Sequence, residues 1–131
     1  SKTYDMLKPG GYLAMFMTRS DENSLNQELG GEIDQVYQKY FHVKQKYTCQ
    51  MHYDNVTDYG FTNYTYQEWK KQRELDAEAY ISYIGTHCAH ITLEEPHRSN
   101  FYNGIRDAFM KCGNKITIID TIPLYLVQKP I

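Results

Sequence analysis

Tyr80, Tyr83, Thr86, His87 and His90 follow one another behind Leu75-Asp76-Ala77 at spacings that suit one helix. Together they offer phenol, hydroxyl and imidazole groups on a partly polar face. Such groups can hold and orient a polar small molecule, and an imidazole changes its protonation near neutral pH. His87 is therefore a candidate contact to a substrate, or a base toward it. Tyr80 also sits where it can staple against Leu75, so core packing would account for it equally well. Thr18 and Arg19 form a second group, at the end of the apolar run Tyr12-Leu13-Ala14-Met15-Phe16-Met17. Arg19 offers a forked donor that suits a carboxylate, with an exposed loop cation as the competing reading.

The six candidate substrate-binding residues are thus Thr18, Arg19, Tyr80, Tyr83, Thr86 and His87. No catalytic residue is assigned. His87 and His90 are close enough to share a metal, but no third ligand stands at matching spacing, so none is expected. Cys88 reads as a small core residue and Trp69 as a packing residue.

Elements must place these groups. Pro9 presets one turn dihedral, and Gly10 can take the positive φ that a type II turn needs next. This turn launches a strand over Tyr12–Thr18, apolar enough to be a buried core strand. Arg19 to Asn26 is polar and turn-rich. Ile33, Val36, Tyr37 and Tyr40 predict a helix around Glu32 to Phe41. Phe41 to Met51 is ambiguous, and a short helix near His52 to Tyr59 should end at Gly60. Phe61 to Arg73 alternates as a strand, with a bulge allowed at Trp69. Asp76 caps a helix whose apolar stripe is Tyr80, Ile81, Ile84 and Cys88. Thr92-Leu93-Glu94-Glu95 fits a capping box for a helix burying Phe101, Ile105, Ala108, Phe109 and Cys112 and ending at Gly113. Lys115 to Lys129 is a long final strand. Pro123 inside it calls for a bulge or edge exposure.

The chain has 131 residues, 14 basic and 16 acidic, for a net charge of -2. The charges are well mixed, and Lys70-Lys71-Gln72-Arg73 is too short to form a stripe for nucleic acid. No apolar run nears the ~20 residues that span a bilayer. Ser1-Lys2-Thr3-Tyr4-Asp5 has no hydrophobic region behind it, so no secretory signal is expected. Cys49, Cys88 and Cys112 are odd in number and widely spaced, which favours a reduced cytoplasmic setting over a disulfide framework. Thirteen tyrosines suit half-buried faces and ligand pockets. No repeat is visible. The pattern is α/β or α+β, with about three strands and helices on the faces, read as a single unit over 1–131.

Three segments resemble the C-terminal half of class I S-adenosylmethionine-dependent methyltransferases, in particular the small-molecule group that includes trans-aconitate methyltransferase-like proteins. Leu7-Lys8-Pro9-Gly10-Gly11-Tyr12-Leu13 looks like the turn before that superfamily's fifth strand. Leu75-Asp76-Ala77-Glu78-Ala79-Tyr80 through Gly85-Thr86-His87 looks like the helix after its sixth strand. Ile116-Thr117-Ile118 through Leu124-Tyr125-Leu126 resembles its final antiparallel strand.

The resemblance implies a partial Rossmann-like fold and an enzyme using S-adenosyl-L-methionine. The acceptor would be a small molecule, with a carboxylic acid as the candidate class, contacted from the Asp76 helix. Transfer from a sulfonium is an in-line displacement that needs orientation more than a protein nucleophile. The family's acidic residue and Gly-x-Gly-x-Gly loop are absent, and Gly30-Gly31 has neither the strand nor the spacing to replace them. The chain alone is therefore expected to be inactive, the cofactor-binding half lying upstream. In the family sheet the Tyr12–Thr18 strand lies between the last strand and an upstream one. Left without the latter, its bare apolar edge is expected to pair two copies as a homodimer. The rival is a non-enzymatic module using a tyrosine-rich face for a ligand or partner.

Overall fold

The computed structural model describes residues 1–43 and 53–131. It is an α/β structure with a four-stranded antiparallel sheet and several helices. The element order is α1 (Lys2–Met6), β1 (Tyr12–Phe16), β2 (Arg19–Asp21), α2 (Gln27–Tyr40), a 3-10 helix (Asp54–Tyr59), β3 (Thr62–Leu75), α3 (Ala77–Ile84), α4 (Cys88–Ile91), α5 (His97–Lys111) and β4 (Ile116–Gln128). Strand β4 pairs with β1, β2 and β3.

The opening turn forms as its residues dictate. The Gly11 amide donates to the Lys8 carbonyl at 2.9 Å, with Pro9 and Gly10 between them and Gly10 at φ +78°. β1 then runs antiparallel to β4, from Tyr12 opposite Gln128 to Phe16 opposite Leu124. Continuing that register sets Met17 opposite Pro123. β1 has ended there, so the missing proline donor costs no ladder bond. Pro123 is accordingly buried within a continuous β4, not at an exposed edge. β1 itself is not buried on both faces. Leu13 and Met15 pack inward while Tyr12 and Phe16 stay 60% and 71% exposed, because no described residue covers that face.

The strand count also differs from the expected three. Arg19–Asp21, expected as turn, forms β2 by pairing with β4. α2 begins earlier than its apolar spacing suggests. Asn26 anchors it, donating to the Thr117 carbonyl at 2.6 Å and accepting from the Thr117 amide at 2.9 Å. The 3-10 helix ends at Gly60 in the left-handed conformation, φ +89°, as the glycine signal requires. The ambiguous stretch and His52 lie in large part outside the described residues.

Contacts divide the chain into two compact units. The first comprises 1–19, 49–71 and 120–131, and its small core joins Val56, Phe61 and Val127 with Tyr4, Leu7, Leu13, Met15 and Tyr53. The second comprises 20–48 and 72–119. Its larger core packs α2, α3, α5 and the start of β4 through Leu29, Ile33, Tyr80, Ile84, Phe101, Ile105, Phe109 and Ile116. Burying such side chains contributes about 1.5–3 kcal/mol each.

Two helix boundaries in the second unit bear on the site. Asp76 caps α3, accepting from the Ala79 amide at 2.9 Å. α3 stops at Ile84 with Gly85 as its cap, and the Thr86 hydroxyl takes the Tyr83 carbonyl at 2.7 Å. His87 therefore caps a separate helix, α4, and does not share one with Tyr80. Cys88 is exposed, not on the apolar stripe. The capping box does not form either. The Thr92 hydroxyl donates to the Ala89 carbonyl behind it, closing α4, while Glu95 accepts from the Ser99 amide within α5.

Candidate functional site

The six candidate residues fall into two groups. Thr18 and Arg19 belong to the first unit, and Tyr80, Tyr83, Thr86 and His87 to the second.

In the second unit the polar ends of α3 and α4 meet groups from β2, α2 and β3. Tyr80 has a wholly buried ring, but its hydroxyl reaches the Glu22 carboxylate and donates to it at 2.7 Å. Tyr83, one turn on and half-buried, donates to the Ser20 hydroxyl at 3.2 Å, with the Arg73 guanidinium 4.3 Å over its ring. The His87 ring stands edge-on to Tyr83 at 4.9 Å and to His90 at 5.6 Å. His90 is buried among Tyr37, Phe41 and Phe101, and its Nε2 shares a 2.7 Å hydrogen bond with the Tyr37 hydroxyl. Its Nδ1 is buried and has no hydrogen-bond partner among the described residues. Thr86 is exposed and its hydroxyl is spent on the helix end, so it is the least available of the four.

The electrostatics follow from burial and one carboxylate. Burial first, then the Glu22 charge, pushes the Tyr80 and Tyr37 phenols well above the usual range, so both stay protonated. Burial also lowers His90 to about 4, with His87 adding to the effect, so His90 is neutral at pH 7. Tyr80, Tyr37 and His90 thus present neutral donors and acceptors near the Glu22 carboxylate, with the Arg73 guanidinium over Tyr83. The cluster can bind and orient a polar molecule through Tyr83 and the exposed His87, and it contains no activated nucleophile.

In the first unit Arg19 is not a free loop cation. It donates to the Tyr125 hydroxyl at 3.3 Å. Tyr125 is buried, with the rings of Tyr53, Tyr64 and Tyr66 around it at 5.5, 6.4 and 5.0 Å. Tyr66 donates to Glu68 at 2.7 Å, and that bond, ahead of desolvation, raises its phenol to about 12. Thr18, the residue before Arg19, is exposed.

Sequence reasoning missed Glu22, Ser20 and Tyr125, and used Tyr37 only for its helical spacing. Glu22 carries no local signal, since its partner lies 58 residues away. Among the described residues no group of three His, Cys, Asp or Glu could hold a metal ion. A shallow cleft of ≈ 230 Å³ runs between α2 and α5, lined by Val36, Lys39, Tyr40, Gly104, Asp107 and Lys111 among others, and touches none of the candidates. No helix among the described residues is long and apolar enough to cross a membrane. Compared with models of known protein families and with curated proteins, the chain matches none.

Proposed function

We propose that this chain is the C-terminal part of a class I S-adenosylmethionine-dependent methyltransferase with a Rossmann-like sheet, acting on a small-molecule acceptor in the cytoplasm. The observation that carries the reading is the pairing of β1 with the final strand. A type II turn at Lys8-Pro9-Gly10-Gly11 launches β1, which lies antiparallel to β4 from Tyr12–Gln128 to Phe16–Leu124. That is the neighbour relation the resemblance implies for these two strands.

The residues present do not fit the cofactor. Gly30 and Gly31 lie inside α2, with Gly30 buried against Asn23, and cannot form a loop that backbone amides share with a ligand. On this reading the cofactor groove belongs to further polypeptide. This chain's contribution is on the acceptor side. Tyr83 and His87 donate or accept hydrogen bonds and orient the acceptor, and His87 takes a proton if the acceptor arrives protonated. Tyr80 and Thr86 complete the proposed contacts of the second unit, and Thr18 and Arg19 are proposed as separate contacts of the first. Arg19 and Tyr80 would act through the bonds they already make to Tyr125 and Glu22.

The test is the encoding gene read upstream of Ser1. A strand followed by an acidic residue and Gly-x-Gly-x-Gly is expected there. Calorimetry should then show S-adenosyl-L-methionine binding to the longer polypeptide and none to residues 1–131. Absence of the loop upstream, with no binding by either polypeptide, overturns the reading. A second reading, a non-enzymatic binding module, draws on the rings of Tyr53, Tyr64 and Tyr66 around Tyr125, and would then stand in its place.

A further inference from the structure

We propose that residues 85–92 form a flap with one latch, the His90 imidazole, and that a proton on this imidazole releases the flap while the helices beneath it stay folded. The latch stands on packing inside the second unit. That the flap also carries contacts to an acceptor, through Thr86 and His87, rests on the methyltransferase reading.

Ile84 before the flap and Leu93 after it are each 1% exposed and belong to the larger core. Between these two anchors His90 is the one buried residue. The others are half-buried or exposed, and Ile91 is 62% exposed. No apolar side chain of the stretch is buried, so none pins it to the core. The amides of Gly85, Thr86 and His87 bond back to the carbonyls of Ile81, Tyr83 and Ile84, which closes the end of α3 and makes a hinge, not a clasp. α4 itself has four residues, too few to hold a helix in water alone. Segments tied down this lightly open locally at a fraction of the global stability.

His90 supplies the clasp. Its ring enters a box of Tyr37, Phe41 and Phe101, at centroid distances of 5.7, 4.6 and 5.7 Å. Its Nε2 shares the 2.7 Å bond with the Tyr37 hydroxyl. Counting hydrogens fixes the donor. Burial keeps Tyr37 a phenol. If that phenol donates to Nε2, the neutral ring carries its hydrogen on Nδ1, and one buried group goes without a partner among the described residues. The reverse arrangement orphans both the phenol hydrogen and Nδ1, so the first holds.

A second proton has to enter at Nε2, the acceptor of that bond. Tyr37 must then turn its own hydrogen away, and a charged ring is left in an aromatic box. The groups facing it offer that charge nothing. α2 brings the neutral Tyr37, and α4 brings His87, whose own proton repels it. Phe101 of α5 and Phe41 do not titrate, and Tyr83 of α3 stands against His87. The Glu22 and Asp34 carboxylates act on Tyr37 and not on His90. Burial, then His87, accordingly holds the closed ring at about 4, against 6.5 for a solvated one. The open flap binds the proton more tightly, so acid favours opening. From about pH 7.5 to about pH 5 the opening equilibrium rises about 30-fold.

Native-state amide exchange of residues 1–131 in low urea, with rates corrected for the pH dependence of free peptides, tests the latch. The Ile91 and Leu93 amides, bonded to the His87 and His90 carbonyls, are expected to exchange independently of urea and about 30-fold more readily at the lower pH. The Ile105 and Ile118 amides of the core should depend on urea and stay far better protected at both. His90→Phe fills the box without a titrating group and should abolish the flap's pH response. Tyr37→Phe keeps the ring, removes the clasp's oxygen and should raise flap exchange at neutral pH. Flap amides that exchange only together with the core, that answer to pH equally in His90→Phe, or that are unmoved by Tyr37→Phe overturn the proposal. Flap amides already unprotected at neutral pH overturn it too, since nothing would then be latched. None of these outcomes bears on the loop sought upstream of Ser1, so the latch and the methyltransferase reading fail separately.

Discussion

The Tyr80 hydroxyl donates to the Glu22 carboxylate at 2.7 Å, tying the core of α3 to the residue that follows β2. The ring is buried and the carboxylate half-buried, so this bond joins the apolar core to the polar cluster above it. Hydrogen bonds to ionised groups contribute more than neutral ones.

Tyr80→Phe keeps the ring and removes that bond. It is expected to cost about 1–2 kcal/mol in urea unfolding, since water can partly replace the lost donor at Glu22. Glu22→Gln keeps an acceptor and removes the charge. It should cost less than Tyr80→Phe, because the amide oxygen still accepts from the Tyr80 hydroxyl. Equal losses in the two variants would show that the charge of Glu22, and not the hydrogen bond alone, carries the contact.

His90 gives the fold a pH dependence of known sign. Burial lowers its folded value from 6.5 to about 4. Between those values the unfolded chain binds a proton that the folded chain does not, so stability is full above pH 6.5 and falls as pH drops toward about 4. The loss is on the order of 2–3 kcal/mol. His90→Gln removes the titration, so its stability should fall less between neutral pH and the lower end of that window. An imidazole proton resonance for His90 with a midpoint near 6.5 would refute the assignment.

What the sequence made legible is what neighbours decide. The Asp76 cap, the Pro9-Gly10 turn, the Gly60 stop and the apolar face of Phe101, Ile105, Ala108 and Phe109 all rest on residues a few positions apart. Position Gly113, at φ +89°, ends α5 for the same local reason. The misses depend on distant partners. Asn26 starts α2 through Thr117, 91 residues on, which no apolar period registers. The break after Ile84 looked like one continuous helix because Gly85 and Thr86 fit a helical spacing until the Thr86 hydroxyl takes the Tyr83 carbonyl. In the candidate site, Tyr83 and His87 were readable as a polar face. Glu22 and the Tyr37–His90 pair, 53 residues apart, were not.

Gly104 of α5 lies against Val36 and Tyr40 of α2. A Cβ there would lie 2.8 Å from Val36 Cγ1 and 3.3 Å from Cγ2. Alanine favours a helix over glycine by up to about 1 kcal/mol. Overpacking against a stiff β-branched side chain costs roughly 1–3 kcal/mol. Gly104→Ala is therefore expected to destabilise despite its helix propensity. Combining it with Val36→Ala should recover part of the loss, a favourable coupling that a double-mutant cycle in urea would measure. Additive costs would mean that the contact does not decide the choice of glycine.

Lys129 closes the far end of the chain onto its beginning. Its Nζ donates to the Tyr4 carbonyl at 2.9 Å and the Leu7 carbonyl at 2.8 Å, and lies 4.5 Å over the Tyr4 ring. These are the carbonyls at the end of α1, where a cation meets the negative end of the helix. A five-residue helix has little stability of its own, so this lysine holds it in place. Lys129→Met keeps the aliphatic stem and removes the donor, and should cost about 1–3 kcal/mol. Faster exchange of the Asp5 and Leu7 amides, which bond within this turn, should accompany it. Lys115→Met is the control. Its amine reaches Glu74 at 3.0 Å with both side chains more than half exposed, and such a pair contributes at most about 1 kcal/mol. Equal losses in the two variants would show that the α1 carbonyls gain nothing special from Lys129.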